Sequence, residues 1–274
     1  MRNAWLVAVT AVVLSATEVH GDPGLAKAFA DLVANGNQTP RFALGTQHVP
    51  APSLDIERPI YTVAADGSAA WVIANLDLQG PCGGGLCGLL IRAHATVLYE
   101  RDATDRPWRP VAWAVELTSS AKEQAERMKA PAKLERAPIA RKLEPGAEAA
   151  AKLFESTVGD PKALAGTVAD RKDVVLFGSE TSERIEGAPQ VRATIAKWNL
   201  AFKINGGLNA GITAKRNVAW VAANLDARSA KAPRGAATPY RALFLYEQTG
   251  AAWKLVHAHF AFIEPEQGGA LWQP

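Results

Sequence analysis

The chain has 274 residues, 48% hydrophobic and 21% charged, which is ample apolar material for one large core or two ordinary ones and too much for a disordered chain. Its net charge of +3 is spread without a long run of one sign. That excludes the concentrated basic face of a nucleic-acid binder, so no nucleic-acid partner is expected.

The N-terminus has the layout of a secretory signal. Arg2 precedes an apolar run from Ala4 to Ala16, broken only by Thr10 and Ser15, and Val19-His20-Gly21 offers a cleavage site. The run is shorter than the roughly 20 residues a spanning helix needs. The expectation is residues 1–21 as a signal peptide cleaved after Gly21, a periplasmic or extracellular location, and no stable membrane span after cleavage.

PGLAKAFADLVANG (23–36) then reads as a helix, Arg41–Gly45 as the remnant of a short strand, and 46–58 as a Pro-rich loop. Cys82 and Cys87 sit in PCGGGLCG, where three glycines let the chain close a small ring. In an oxidising compartment a disulfide is expected there. A metal site would need further ligands and only His94 is near, so no metal is expected. The segment 119–146 mixes both charge signs and reads as a solvated helix followed by an extended linker.

In the second half, PGAEAAAKLFESTV (145–158) carries Ala147, Ala150, Ala151, Phe154 and Val158 at helical spacing. Asp160 is placed to cap a short second helix, and Val174–Phe177 is a short strand. GAPQVRATIAKWNLAF (187–202) reads as a longer helix ended by Gly206-Gly207.

One phrase occurs twice. WVIANLD (71–77) and WVAANLD (220–226) agree at six of seven positions, 149 residues apart. RAHATVLYE (92–100) then matches PYRALFLYE (239–247), and RPWRPVAWAVEL (106–117) matches AAWKLVHAHFAF (251–262). Self-similarity of this kind implies two copies of one unit, each with three hairpin-linked antiparallel strands and the first with fewer helices.

This order of elements, with VAWVAANLD and WKLVHAHFAF, resembles the NTF2-like superfamily, specifically its SnoaL-like group. The resemblance implies an α+β fold: two NTF2-like cones, each a curved antiparallel sheet packed on helices. The N-terminal, shortened unit would span 22–118 and the C-terminal SnoaL-like unit 147–267, with 119–146 between them. NTF2-like domains commonly pair through the outer face of the sheet, so the two units are expected to pair within one chain.

Strand alternation puts Trp220, Ala222, Asn224 and Asp226 on one face, with Arg241, Leu243 and Leu245 on the next strand and His257 and His259 on the last. Taken as the concave face, this gives a ligand pocket of Asn224, Arg241, His257 and His259 walled by Trp198 and Trp220. Such a set suits a small apolar or acidic ligand, with His257 or His259 as candidate general base. Copy one has Ala112 and Ala114 at the histidine positions and His94 in place of Arg241. The candidate chemistry therefore does not repeat, and the shared Trp, Asn and Asp point to folding, with Trp filling the cone. No phosphate-binding Gly loop or nucleophile elbow is present, and no cofactor is expected. The expected function is a non-catalytic ligand-binding or interaction module. The alternatives are an isomerase, cyclase or dehydratase using a His base, and an assembly protein with a vestigial pocket.

Overall fold

The structure, a computed structural model, describes residues 22–35, 42–45, 53–79, 90–120, 122, 139–232 and 234–262. The signal segment, Cys82, Cys87 and most of the linker lie outside these residues. Helix α1 (Pro23–Asn35) precedes strands β1 (Phe42–Gly45), β2 (Ser53–Val63), β3 (Ala69–Gln79), β4 (Leu90–Glu100) and β5 (Arg109–Leu117). Then come β6 (Lys142–Leu143), α2 (Glu148–Thr157), α3 (Pro161–Thr167), β7 (Val175–Phe177), β8 (Arg184–Glu186) and α4 (Ala188–Ala196). Four long strands follow: β9 (Leu200–Ile212), β10 (Val218–Ser229), β11 (Thr238–Thr249) and β12 (Ala252–Phe262). The fold is α+β, with curved, mostly antiparallel sheets and few helices.

The first sheet has the order β1-β5-β4-β3-β2 and the second β6-β9-β10-β11-β12-β7-β8. In each, a short strand joins the last long strand in parallel: β1 beside β5, and β7 beside β12. The hairpin before the repeated phrase is closed alike in both halves. Ala64 N donates to Ala69 O and Gly67 N to Ala64 O; Thr213 N donates to Val218 O and Arg216 N to Thr213 O. Gly67 and Arg216 both have positive φ, 71° and 57°. The β4–β5 ladder slips between Leu98 and Tyr99, and the β11–β12 ladder between Leu245 and Tyr246, two matched Leu-Tyr pairs.

Helix α2 forms where its spacing predicts, with Ala147, Ala150, Ala151, Phe154 and Val158 all buried. Asp160 caps α3 by accepting from Lys162 N and Ala163 N. Two expectations give way. The segment expected as loop to residue 58 is strand from Ser53 onward. The helix expected over 187–202 stops at Ala196, and Leu200 starts β9. From there burial follows a period of two, with Phe202 buried between exposed Ala201 and Lys203. Gly206-Gly207 therefore caps no helix. It forms a bulge where pairing jumps from Ala223–Leu208 to Leu225–Ile204, and Gly206 supplies the φ of 88°.

Each sheet has one face against helices and the other against its fellow sheet. Leu25, Phe29 and Leu32 of α1 pack with Val72, Ala74, Val97 and Trp113 of the first sheet. Phe154 of α2 meets Phe244 of the second, ring centroids 4.9 Å apart. The opposite faces share one core, in which Trp71, Ile73, Leu98, Ala112 and Ala114 are continuous with residues of the second sheet. Trp71 and Trp220 thus lie between the sheets and do not fill a cone. Trp220 fits because residue 211, directly across from it, is glycine; a Cβ there would fall 2.5 Å from the indole.

Candidate functional site between the two sheets

The period-two reading groups the candidate residues correctly by strand register. Trp220 pairs with Leu245, Asn224 with Arg241, Leu245 with His257 and Leu243 with His259. What differs is the direction of that face. It turns toward the first sheet, because the helices take the other one, whose Phe244 touches Phe154 and whose Phe260 lies 5.2 Å from Phe244. Trp198 belongs to that helix side, 5.3 Å from Phe260 and 5.7 Å from Phe202. The expected pocket is thereby split: Trp198 on one side of the sheet, and Trp220, Asn224, Arg241, His257 and His259 on the other.

Between the sheets the two histidines meet Thr96 of β4. Thr96 Oγ1 lies 2.8 Å from His257 Nε2 and 3.0 Å from His259 Nδ1. His257 Nδ1 lies 2.8 Å from the carbonyl oxygen of Val175, which can only accept, so the ring proton is on Nδ1. Nε2 of the neutral ring is then an acceptor, and the Thr96 hydroxyl donates to it. The hydroxyl oxygen in turn accepts from His259 Nδ1–H. Hydrogen bonding runs one way, from His259 through Thr96 to His257 and on to Val175.

His94, two residues before Thr96 on the same strand face, completes the cluster. Its ring stacks on Phe177 at 4.0 Å, nearly parallel at 10°, and its Nδ1 donates to Gly178 O at 3.3 Å. The Arg184 guanidinium lies 5.7 Å from the Phe177 ring, donates to Asn75 Oδ1 at 3.2 Å and pairs with Glu186 at 2.7 Å. Asn75 of the repeated phrase is thus a seam residue.

All three imidazoles are at most 2% exposed. Burial pushes His94 down to about 4 against its two backbone contacts, with Arg184 adding to the fall. Burial takes His257 down to about 3, aided by Arg184 and His94. His259 is held well below its usual value by burial and by the other two rings. A general base at neutral pH needs access to substrate and a value near 7; these rings have neither. Among the described residues, no group of three His, Cys, Asp or Glu side chains is placed to hold a metal ion.

Further links cross the seam. Thr62 donates to Asp173 at 2.9 Å, Asn217 to Asp66 at 2.7 Å, and Ala214 N to Glu100 at 2.9 Å. Arg171 reaches Asp173 and Glu247 and lies 5.4 Å from the Trp71 ring. Thr96, Phe177 and Arg184 escaped the sequence analysis. One signal for Thr96 was present: it is the polar exception where the matching position of the second half is Leu243. Two open clefts are present among the described residues, one of about 530 Å³ beside Asp22, Arg101 and Trp108, the other of about 480 Å³ at the edge of the seam beside Arg171, Glu186 and Gln190.

Residues 156–264, which run from the end of α2 through α3, α4 and the four long strands, match a family model. The matching family is the SnoaL-like domain, to which that segment is similar. Among solved structures, the chain is similar to an NTF2-like protein from Pseudomonas putida KT2440, at 14% identity over 47% of this chain and 92% of that one, TM-score 0.36. It is similar also to an NTF2-like superfamily protein from Salmonella enterica serovar Typhimurium, at 13% identity over 46% and 92%, TM-score 0.34. A ketosteroid isomerase-like protein from Erwinia carotovora atroseptica matches at 19% identity over 44% and 92%, TM-score 0.31. No curated protein matches the chain.

Proposed function

We propose that the chain is an exported binding or interaction module without catalytic activity, in which two NTF2-like units are paired within one polypeptide. The reading rests on one observation: His257 and His259, the candidate general bases, are closed between the sheets and hydrogen-bonded to Thr96. The side of the SnoaL-like domain that faces its helices is a packed aromatic layer of Phe154, Trp198, Phe202, Phe244 and Phe260, which holds no titratable group to serve as a base. The two-unit reading is supported by the matched hairpins, ladder slips and parallel short strands, and pairing by the shared core and the hydrogen bonds across the seam. Export is supported by Arg2 and the apolar run after it.

Native mass spectrometry of the full chain tests this. One chain per particle, with a small molecule released on denaturation, is the expected result and would give the ligand class. Two chains per particle would overturn pairing within the chain. Turnover of a candidate substrate that the His257→Gln/His259→Gln variant loses would overturn the non-catalytic role.

A further inference from the structure

Three histidine rings from both halves of the chain meet in one buried layer. His94 comes from β4, and His257 and His259 from β12. The His94 and His259 centroids are 6.2 Å apart, as are those of His257 and His259. The one-way chain of hydrogen bonds leaves no place for another proton. A proton added to His257 Nε2 would meet the Thr96 hydroxyl proton head-on. One added to His259 Nε2 would find no acceptor among the described residues.

The surroundings oppose protonation as well. Arg184 approaches from β8, and its partner Glu186 is occupied by Arg184 and Arg58. From the turn before β8, Glu183 accepts from Glu180 N. Asp173, just before β7, is held by Arg171 and Thr62. On β3, Asp77 pairs with Arg92 of β4. Glu116 of β5 is the cross-strand neighbour of His94, and Arg241 of β11 lies two positions from Leu243, which pairs with His259. Arg184 and the neighbouring rings each work against a proton on the cluster.

We propose that this cluster is an acid-operated latch between the two sheets: neutral rings hold the seam shut, and proton uptake parts it. Three cations beside Arg184 in a buried layer repel one another, and the hydrogen-bond chain that joins β4 to β12 is lost. Parting uncovers Trp71 and Trp220, while the helix faces keep their own packing. The inference goes beyond the proposed function and does not depend on the absence of catalysis.

Hydroxyl-radical footprinting of the full chain, read residue by residue by mass spectrometry, tests it. On acidification from pH 7 to pH 3.5, labelling of Trp71 and Trp220 is expected to rise several-fold while Phe154 and Phe244 stay protected. The His94→Phe/His259→Leu variant is expected to keep both tryptophans protected at the pH where the parent opens. If this variant fails to fold at pH 7, the parent footprint decides alone. Seam and helix-face residues rising together, no rise at all, or a folded variant that opens at the parent's pH would overturn the latch.

Discussion

The two faces of the seven-stranded sheet are both buried, yet they are built by different rules. The face against α2 and α4 is aromatic: Phe154, Phe244, Phe260, Phe202 and Trp198 form a chain of rings between 4.9 and 5.7 Å apart. The face against the first sheet carries Trp220, Leu243 and Leu245 together with two histidines, an asparagine and an arginine. Polar side chains can be buried there because the opposing sheet brings partners for them, Thr96 for the histidines and Asn75 for Arg184. The residues that look catalytic in the sequence are thus the ones that serve the contact between sheets. A histidine's environment, more than its identity, decides whether it is a base or a structural group.

The contrast is sharpened first by Phe154→Ala. It opens a void on the aromatic face and is expected to cost about 3–5 kcal/mol, measured by urea unfolding at pH 7. The seam should respond differently, through protons. His94 sits at about 4 in the folded protein against the usual 6.5, so the unfolded chain takes up its proton first. The contribution of this ring is therefore whole above pH 6.5, falls as pH drops through 6.5, and levels off below about 4. The loss from this ring alone is on the order of 3 kcal/mol. The Asp173 carboxyl, held low by Arg171 and Thr62 despite burial, titrates below this window. Urea midpoints at pH 7, 5 and 4 check it, and a flat profile would contradict buried neutral rings.

Gly211→Ala places a Cβ 2.5 Å from the Trp220 indole and 2.6 Å from the Glu144 carboxylate. The expected cost is about 1–3 kcal/mol, visible as a lower Tm. Thr96→Val keeps the shape but leaves His257 Nε2 and His259 Nδ1 without their partner, a loss of about 1–3 kcal/mol by the same measurement. The smallest effect belongs to a site on neither face. Asp160→Ala removes the α3 cap and is expected to cost about 1 kcal/mol without altering the pH profile.

Much of this was legible in the sequence. The spacing of Ala147, Ala150, Phe154 and Val158 located α2. Asp160 announced a cap, and alternation put His257, His259, Asn224 and Arg241 on one face. The partner of that face was not legible, because alternation says which residues stand together and is silent on what covers them. Gly206-Gly207 misled for a related reason. Glycine with positive φ ends helices and also forms bulges, and only the pairing of β9 with β10 separates the two. The strand start at Ser53 is hidden in the sequence because Pro50 and Pro52 give 46–58 the composition of a loop, and Arg58, at φ 47°, interrupts the alternation where the β2–β3 ladder slips.

The most direct test of the closed seam is an NMR titration of the imidazole rings in the full chain, which has five histidines. The account predicts that the signals of His94, His257 and His259, assigned by single substitutions, do not move between pH 8 and pH 5. A ring among those three that titrates with a midpoint near 6.5 would place it in contact with water and contradict the account.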